Sequence, residues 1–314
     1  MDNGKHSHAG HVHAGHSHAH NHAPVDFGRA FAIGVSANLA YVAIQVIFGF
    51  LAHSVALLAD AVHNLSDVLG LMLAWGASVL VRRVPTQRFT YGFRKSSVLA
   101  ALINAGFLLF VTGGIAWEAA HRLVEPPPVA GLTLIWVAAL GIVINGGSAL
   151  LFLSARKHDL NARGAFLHLA ADAVVSLGVV IAGIGLLFTG WLWLDPLVSL
   201  VISVVIVVGT WELLRDSIRM SLDAVPQGID MERVEAHLAA LDGVTEVHDL
   251  HVWAMSTTET ALTVHLVMPT GHPGDSFLAA LCEDMHAKFR IDHVTAQIEI
   301  DPDHPCALAP ANVV

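Results

Sequence analysis

Cysteine is nearly absent. Only Cys282 and Cys306 occur in 314 residues, which excludes a disulfide-stapled scaffold. Charge is scarce as well. Asp, Glu, Lys and Arg make up 13% of the chain, about half of the roughly 25% that soluble domains carry. Set against 54% hydrophobic residues, that shortage excludes an ordinary soluble protein and places much of the chain in a lipid bilayer. No H-E-x-x-H is present, so a zinc protease of that type is excluded. The apolar segments also lack the H-x-x-x-H and H-x-x-H-H boxes that a membrane di-iron oxygenase needs. The polar start of the chain has no apolar h-region, so no cleavable signal peptide is expected, and no nucleic-acid partner is expected.

Histidine is what the chain has in excess, with 21 residues. Neutral imidazole is a common ligand of zinc-like metals, so this abundance points to metal before any motif is found. Eight of the histidines fall in residues 1–24, MDNGKHSHAGHVHAGHSHAHNHAP. Such a low-complexity tail cannot build a core and is expected to be disordered. Its uneven spacing favours a natural metal-collecting tail over an expression tag.

Six apolar segments follow, each near the ~20 residues that cross a bilayer: about 27–50, 55–81, 96–119, 131–155, 163–189 and 195–215. Lys5 and Arg29 precede the first; Arg82, Arg83, Arg88, Arg94 and Lys95 separate the second from the third. Arg156, Lys157 and Arg163 separate the fourth from the fifth, and Arg215 and Arg219 close the sixth, leaving Arg122 on the other side. The positive-inside rule then puts both termini in the cytoplasm, as an even number of spans requires. The basic loop after the second span is expected to anchor at lipid headgroups. The organisation reads as a tail (1–24), a six-helix membrane domain (25–220), a cytoplasmic domain (221–306) and a short tail (307–314).

The cytoplasmic domain is predicted from its periodicity. MERVEAHLAAL (231–241) and SFLAALCEDMHAKF (276–289) have helical patterns. VTEVHDLHVWAM, ETALTVHLVM and VTAQIEI read as strands. In the second strand Leu262, Val264 and Leu266 lie on one face, with Thr263 and His265 on the other. The order α-β-β-α-β predicts helices on one face of a short sheet.

The ionisable groups inside the membrane segments carry the chemistry. Span two contains ADAVHNLSDVLG, in which His63 and Asp67 stack one helical turn apart, with Asp60 three residues earlier. Span five repeats the H-x-x-x-D pattern as His168 and Asp172. A single charge at this depth costs on the order of 3 kcal/mol on insertion scales. Two imidazoles and two carboxylates are, however, the number and kind of ligands that a tetrahedral zinc site uses. A divalent cation neutralises both carboxylates; without it the same groups want protons, which is the minimum machinery of an antiporter. Helix-helix hydrogen bonding is the preferred reading for Asn38, Gln45, Asn104 and Asn145. Asp60 has three readings: a proton relay, a group on the ion's way in or out, or a helix-packing residue.

With the paired motifs, six spans, a His-rich end and a small α+β domain, the chain resembles the cation diffusion facilitator family. The likeness covers about residues 25–306. It is nearest the bacterial zinc/cobalt/cadmium-resistance branch, which is also similar to animal vesicular zinc transporters. The resemblance implies a homodimeric metal/proton antiporter of the bacterial inner membrane. It would carry Zn²⁺ out of the cytoplasm by alternating access, with Co²⁺ or Cd²⁺ as further substrates. His63, Asp67, His168 and Asp172 are then the transport ligands, and His rather than Asp at position 63 favours Zn²⁺ or Co²⁺ over hard ions. The loop histidines that some members carry between spans two and three are missing here, so that site is not carried over.

The resemblance also implies a ferredoxin-like, metallochaperone-like regulatory domain that binds Zn²⁺ through His248, His265, Glu299 and Asp301. In a regular strand His248 and His251 face opposite sides and cannot share a site without a bulge, so His251 is read as a surface or dimer-contact residue. Asp292 and His293 could supply a further ligand. His304 and Cys306 are either a soft-metal pair or a solvated tail. The rival readings are an intramembrane metalloenzyme and a membrane metal sensor that moves nothing; a sensor needs no ion pathway.

Overall fold

The computed structural model describes residues 29–153, 160–301 and 306–309. The His-rich tail, the basic run at 156–159 and His304 lie outside the described residues. Six long helices come first: α1 (Arg29–Leu51), α2 (Val55–Val81), α3 (Ser96–Val124), α4 (Gly131–Phe152), α5 (Leu160–Thr189) and α6 (Leu194–Ser221). The helices α2 to α6 are each long and apolar enough to cross a membrane, while the apolar stretch of α1, Val35–Leu51, is shorter. At 1.5 Å per residue, the whole of α1 still extends roughly 35 Å.

The packing is that of a membrane bundle. α4 runs along α5 and α3 along α6, with α2 against α1, α3 and α6. Ala56, Leu57, Leu134, Val137, Ala138 and Val179 form the buried centre. Large apolar side chains such as Phe110, Trp117, Phe188 and Val208 point outward, where only lipid or a second protein surface would suit them.

The start of α2 shows how the bundle satisfies its buried backbone. The first N–H groups of a helix have no intrahelical partner. Here Ser54 caps Leu57 N at 3.1 Å. Asp195, in the first turn of α6, accepts from Val55 N at 2.8 Å, from Ala56 N at 3.4 Å and from the Ser54 hydroxyl. A carboxylate from one helix thus completes the N-terminus of another, and its negative charge suits the positive end of that helix dipole. The join fixes where the α2 site residues sit relative to α6.

After α6 come α7 (Met231–Ala239), β1 (Glu246–Ala254), β2 (Thr260–Val267), α8 (Asp275–Phe289) and β3 (His293–Glu299). This is the expected α-β-β-α-β order. The sheet order is β1-β2-β3, with β1 and β2 antiparallel and β2 and β3 parallel across the α8 crossover. Val234 and Leu238 of α7 and Leu281 and Met285 of α8 pack on Leu262, Val264 and Leu266 of β2. The other face of β2 carries Thr263 and His265, away from the side on which Leu262, Val264 and Leu266 meet α7 and α8.

Two expectations change. The loop after α2 does not act only as a headgroup anchor: Arg94 pairs with Glu259, and Lys95 with Asp223. Ser97 Oγ accepts from Thr257 N at 3.1 Å, and Tyr91 meets His293 edge-on with ring centroids 5.8 Å apart. The loop therefore docks the α+β domain, although Arg82, Arg83 and Arg88 are exposed. β1 is also not a regular strand. Its register shifts between His248 and His251, and Asp249 takes a positive φ of 49°.

Candidate metal centres

α2 and α5 bring their H-x-x-x-D pairs face to face. His63 Nε2 lies 3.0 Å from Asp172 Oδ1, and His168 Nε2 lies 3.4 Å from Asp67 Oδ2. Each imidazole thus pairs with the carboxylate of the other helix, because residues four apart share one helix face. His168 Nε2 is also 3.7 Å from Asp172 Oδ2, and the two rings meet edge-on with centroids 6.3 Å apart.

One ligand atom from each of His63, Asp67 and Asp172 falls within 4.8 Å of the others. His168 stands just outside this group with its side chain 51% exposed, whereas Asp172 is 5% exposed. A tetrahedral ion with bonds of about 2.0–2.2 Å needs its ligands somewhat closer together than this.

Asp60 points into a separate polar network. It is buried and accepts from Gln45 Nε2 at 2.6 Å and Ser176 Oγ at 3.4 Å. Gln45 Nε2 also donates to Tyr41 Oη at 2.9 Å, and Gln45 Oε1 accepts from Asn64 Nδ2 at 3.2 Å. Tyr41 donates in turn to the Val137 carbonyl at 3.3 Å. Of the three readings for Asp60, these contacts favour packing: the carboxylate ties α1, α2 and α5 together directly behind the site. Gln45 acts as the interhelical bridge its position suggests. Asn104 Oδ1 and Asn145 Nδ2, by contrast, are buried without a hydrogen-bond partner among the described residues.

Asn104 has another setting. It lines a cavity of about 550 Å³ that also exposes His63, Asp67 and His168. A second cavity, of about 690 Å³, shares Gly70, Asn104 and Leu213 with the first. It continues past Arg82 and Ser97 to residues 256–258 in the turn between β1 and β2. The two cavities lie side by side between the intramembrane cluster and the α+β domain.

The second cluster lies on the face of the sheet that carries His265. His248 and His265 are direct partners across β1 and β2, and Glu299 lies two residues beyond the neighbour of His265 on β3. His265 Nδ1 is 2.9 Å from Glu299 Oε1, and His248 Nε2 is 3.3 Å from Glu299 Oε2. Cys306 Sγ lies 3.5 Å from His265 Nδ1. Ligand atoms of His248, His265, Glu299 and Cys306 all lie within 4.8 Å of one another. Burial alone would raise the Glu299 carboxyl. The Cys306 hydrogen bond and the neighbouring His248 and His265 imidazoles outweigh it and hold the carboxyl below the ordinary glutamate value.

Several residues weighed from sequence sit elsewhere. Asp301 is exposed and outside the group of four. It would share the face of Glu299 only if β3 continued, and β3 ends at Glu299. The bulge at Asp249 turns His251 onto the face of His248, which a regular strand forbids. There His251 Nε2 meets Asp249 Oδ1 at 2.9 Å, and Asp249 Oδ2 reaches His265 Nε2 at 3.4 Å. His251 thus braces the cluster through Asp249 and stays outside it. Asp292 accepts from Thr260 N at 2.9 Å, which holds the start of β2. His293 is six residues from Glu299 along β3, roughly 20 Å at strand rise.

Comparison with known proteins agrees with both halves of the chain. The family model described as the cation efflux transmembrane domain matches residues 31–220. The model for the cytoplasmic domain of cation efflux proteins matches residues 226–301. The metal cation efflux system protein CzcD of Cupriavidus metallidurans is 35% identical over 285 residues, covering 90% of each chain. A Bacillus subtilis protein named as a cadmium, cobalt and zinc/H(+)-K(+) antiporter is 32% identical, covering 90% of this chain and 92% of its own. The zinc transporter ZitB of Escherichia coli K12 is 34% identical over 276 residues, covering 87% of each chain.

Proposed function

Since the chain belongs to the cation efflux family, whose relatives here are metal transporters rather than enzymes, we propose that it is a proton-coupled antiporter of divalent transition metals. Zn²⁺ is its principal substrate, with Co²⁺ and Cd²⁺ as further ones. The ion binds His63, Asp67, His168 and Asp172. The observation that carries this reading is the cross-pairing of two imidazoles with two carboxylates beside a cavity that His63, Asp67 and His168 line. The neighbouring cavity reaches the turn between β1 and β2, so an ion is collected from the side on which the α+β domain lies. We place that side in the cytoplasm of a bacterial inner membrane, with both termini there, from the distribution of basic residues.

The chemistry follows from the ligand set. An incoming M²⁺ replaces the imidazole-carboxylate pairs, satisfies both aspartates and displaces protons from the groups it binds. Release on the far side leaves two carboxylates together in a low-dielectric setting, which favours taking up protons. Those protons reset the site for the return to the inward-open state.

The α+β domain is read as a regulatory metal module and the contact between two chains of a homodimer. His248 supports metal there: its side chain is 8% exposed, yet both ring nitrogens are buried without a hydrogen-bond partner among the described residues. A bound cation relieves that cost, which for an unsatisfied buried group is about 1–3 kcal/mol.

The test is purified protein in liposomes loaded with a zinc dye and a pH dye. A zinc gradient is expected to drive zinc inward and protons outward together. An imposed proton gradient is expected to drive zinc against its own gradient. Zinc movement that leaves the internal pH unchanged, after correction for leak, overturns the antiport reading.

A further inference from the structure

We propose that Cys306 is a thiolate ligand of the cytoplasmic metal site, which makes that site a two-nitrogen, one-oxygen, one-sulfur centre tuned to thiophilic divalent ions. The inference rests on the reading of the α+β domain as a metal module, and it deepens that reading. The residues converge from four places. His248 comes from β1, His265 from β2, Glu299 from the end of β3 and Cys306 from beyond the last strand.

Sγ stands 3.5 Å from His265 Nδ1 and hydrogen-bonds Glu299. The four ligand atoms are within 4.8 Å of one another, somewhat wider than a tetrahedral ion with Zn–S near 2.3 Å and Zn–N near 2.0 Å draws them. A cysteine near a carboxylate proves little by itself. The independent observation is His248, whose nearly enclosed ring has the carboxylates of Glu246 and Glu299 at 3.4 and 3.3 Å but no well-aligned hydrogen bond at either nitrogen among the described residues. Two carboxylates around one enclosed imidazole suit a bound cation.

The donor set decides which ion suits the site. With Asp301 as the fourth ligand, it would offer two nitrogens and two carboxylates, the same set as the intramembrane site. With Cys306, one hard oxygen is exchanged for a soft sulfur, which favours Zn²⁺ and Cd²⁺ and disfavours Mn²⁺ and Mg²⁺. The two centres of one chain then differ in kind. The transport site has no sulfur, whereas the cytoplasmic site does, so the cytoplasmic site responds more sharply to cadmium.

The experiment uses the full-length protein in detergent, with a phosphine reductant and Co²⁺ as the only added metal. Cys282 on α8 is exposed and supplies the control, since the chain has no other cysteine. Wild type and Cys282→Ser are expected to show a thiolate-to-cobalt charge-transfer band that Cys306→Ser and His248→Ala lack. In a separate titration with Cd²⁺ in place of Co²⁺, affinity at this site should fall in Cys306→Ser by more than the about 10–100-fold that loss of a ligand's hydrogen-bond partner costs.

Cobalt bound in a His248-dependent manner without the band, or a band that survives Cys306→Ser, overturns the proposal and leaves the metal module standing. If His248→Ala removes no bound cobalt at all, the module reading fails and the proposal fails with it.

Discussion

Asp172→Asn is expected to abolish zinc transport in proteoliposomes while the protein stays folded and monodisperse. Asparagine keeps the shape of the side chain and removes its charge. Asp172 is the most enclosed member of the intramembrane cluster and the only one within 4 Å of both imidazoles. Without it, one carboxylate faces two positive charges of the ion in a low-dielectric setting, and the remaining charge is uncompensated. His63→Ala and Asp67→Asn should have comparable effects, because these residues share the tight group with Asp172. Each loss should exceed the about 10–100-fold that removal of an outlying hydrogen-bond partner of a metal ligand costs. His168→Ala should be the mildest of the four, since its ring is half-exposed in the cavity and stands just outside that group. Initial rates of zinc uptake in matched liposomes check the ranking. Asp172→Asn with wild-type rates would remove the basis for the site.

Gly141→Ala is expected to destabilise the membrane domain more than its single added methyl group suggests. A Cβ at this position of α4 would lie 2.0 Å from Tyr41 Oη and 2.8 Å from Ser176 Oγ. Both atoms belong to the network behind the site, so the tyrosine must swing away and release Gln45, which holds Asp60. Overpacking of this kind costs about 1–3 kcal/mol, or a fall of about 4–8 °C in Tm for a domain of this size at mid-range cost. Tyr41→Phe in the same chain moves the nearest tyrosine-ring atom from 2.0 to 2.8 Å, so the double variant should recover part of the loss. Thermal unfolding of the purified protein in detergent reads both effects. An unchanged Tm in Gly141→Ala would mean that α4 and α1 do not meet as described.

The readability of the chain varied with the distance over which its residues cooperate. The intramembrane cluster was legible because each half is encoded within five residues, and helical spacing fixes which side chains stack. Carboxylates among so much leucine and valine could hardly be accidental. The α-β-β-α-β order of the second domain was legible for a similar reason, since both periods are local. The cytoplasmic ligand set was only partly readable. His248 and His265 meet through strand register, whereas the nearness of Cys306 to His265 is a contact that no periodicity announces. Asp301 entered the set through the family resemblance alone, and its position past the end of β3 is set by where the strand stops. The bulge at Asp249 is likewise a matter of tertiary packing: Val247 and Leu250 both turn to the core, and the strand must gain a residue between them. The cap that Asp195 places on α2, and the docking of Arg94 and Lys95 onto the second domain, depend on contacts between distant segments.

Proton release on zinc binding tests the central claim most directly. Zinc is added to weakly buffered, detergent-solubilised wild type and to a variant carrying His63→Ala, Asp67→Asn, His168→Ala and Asp172→Asn together. Metal ligands must lose protons to bind, and the tail and cytoplasmic histidines contribute equally in both proteins. The account predicts that wild type binds one more zinc per chain and releases additional protons with it. Equal zinc binding and equal proton release in the two proteins would contradict it.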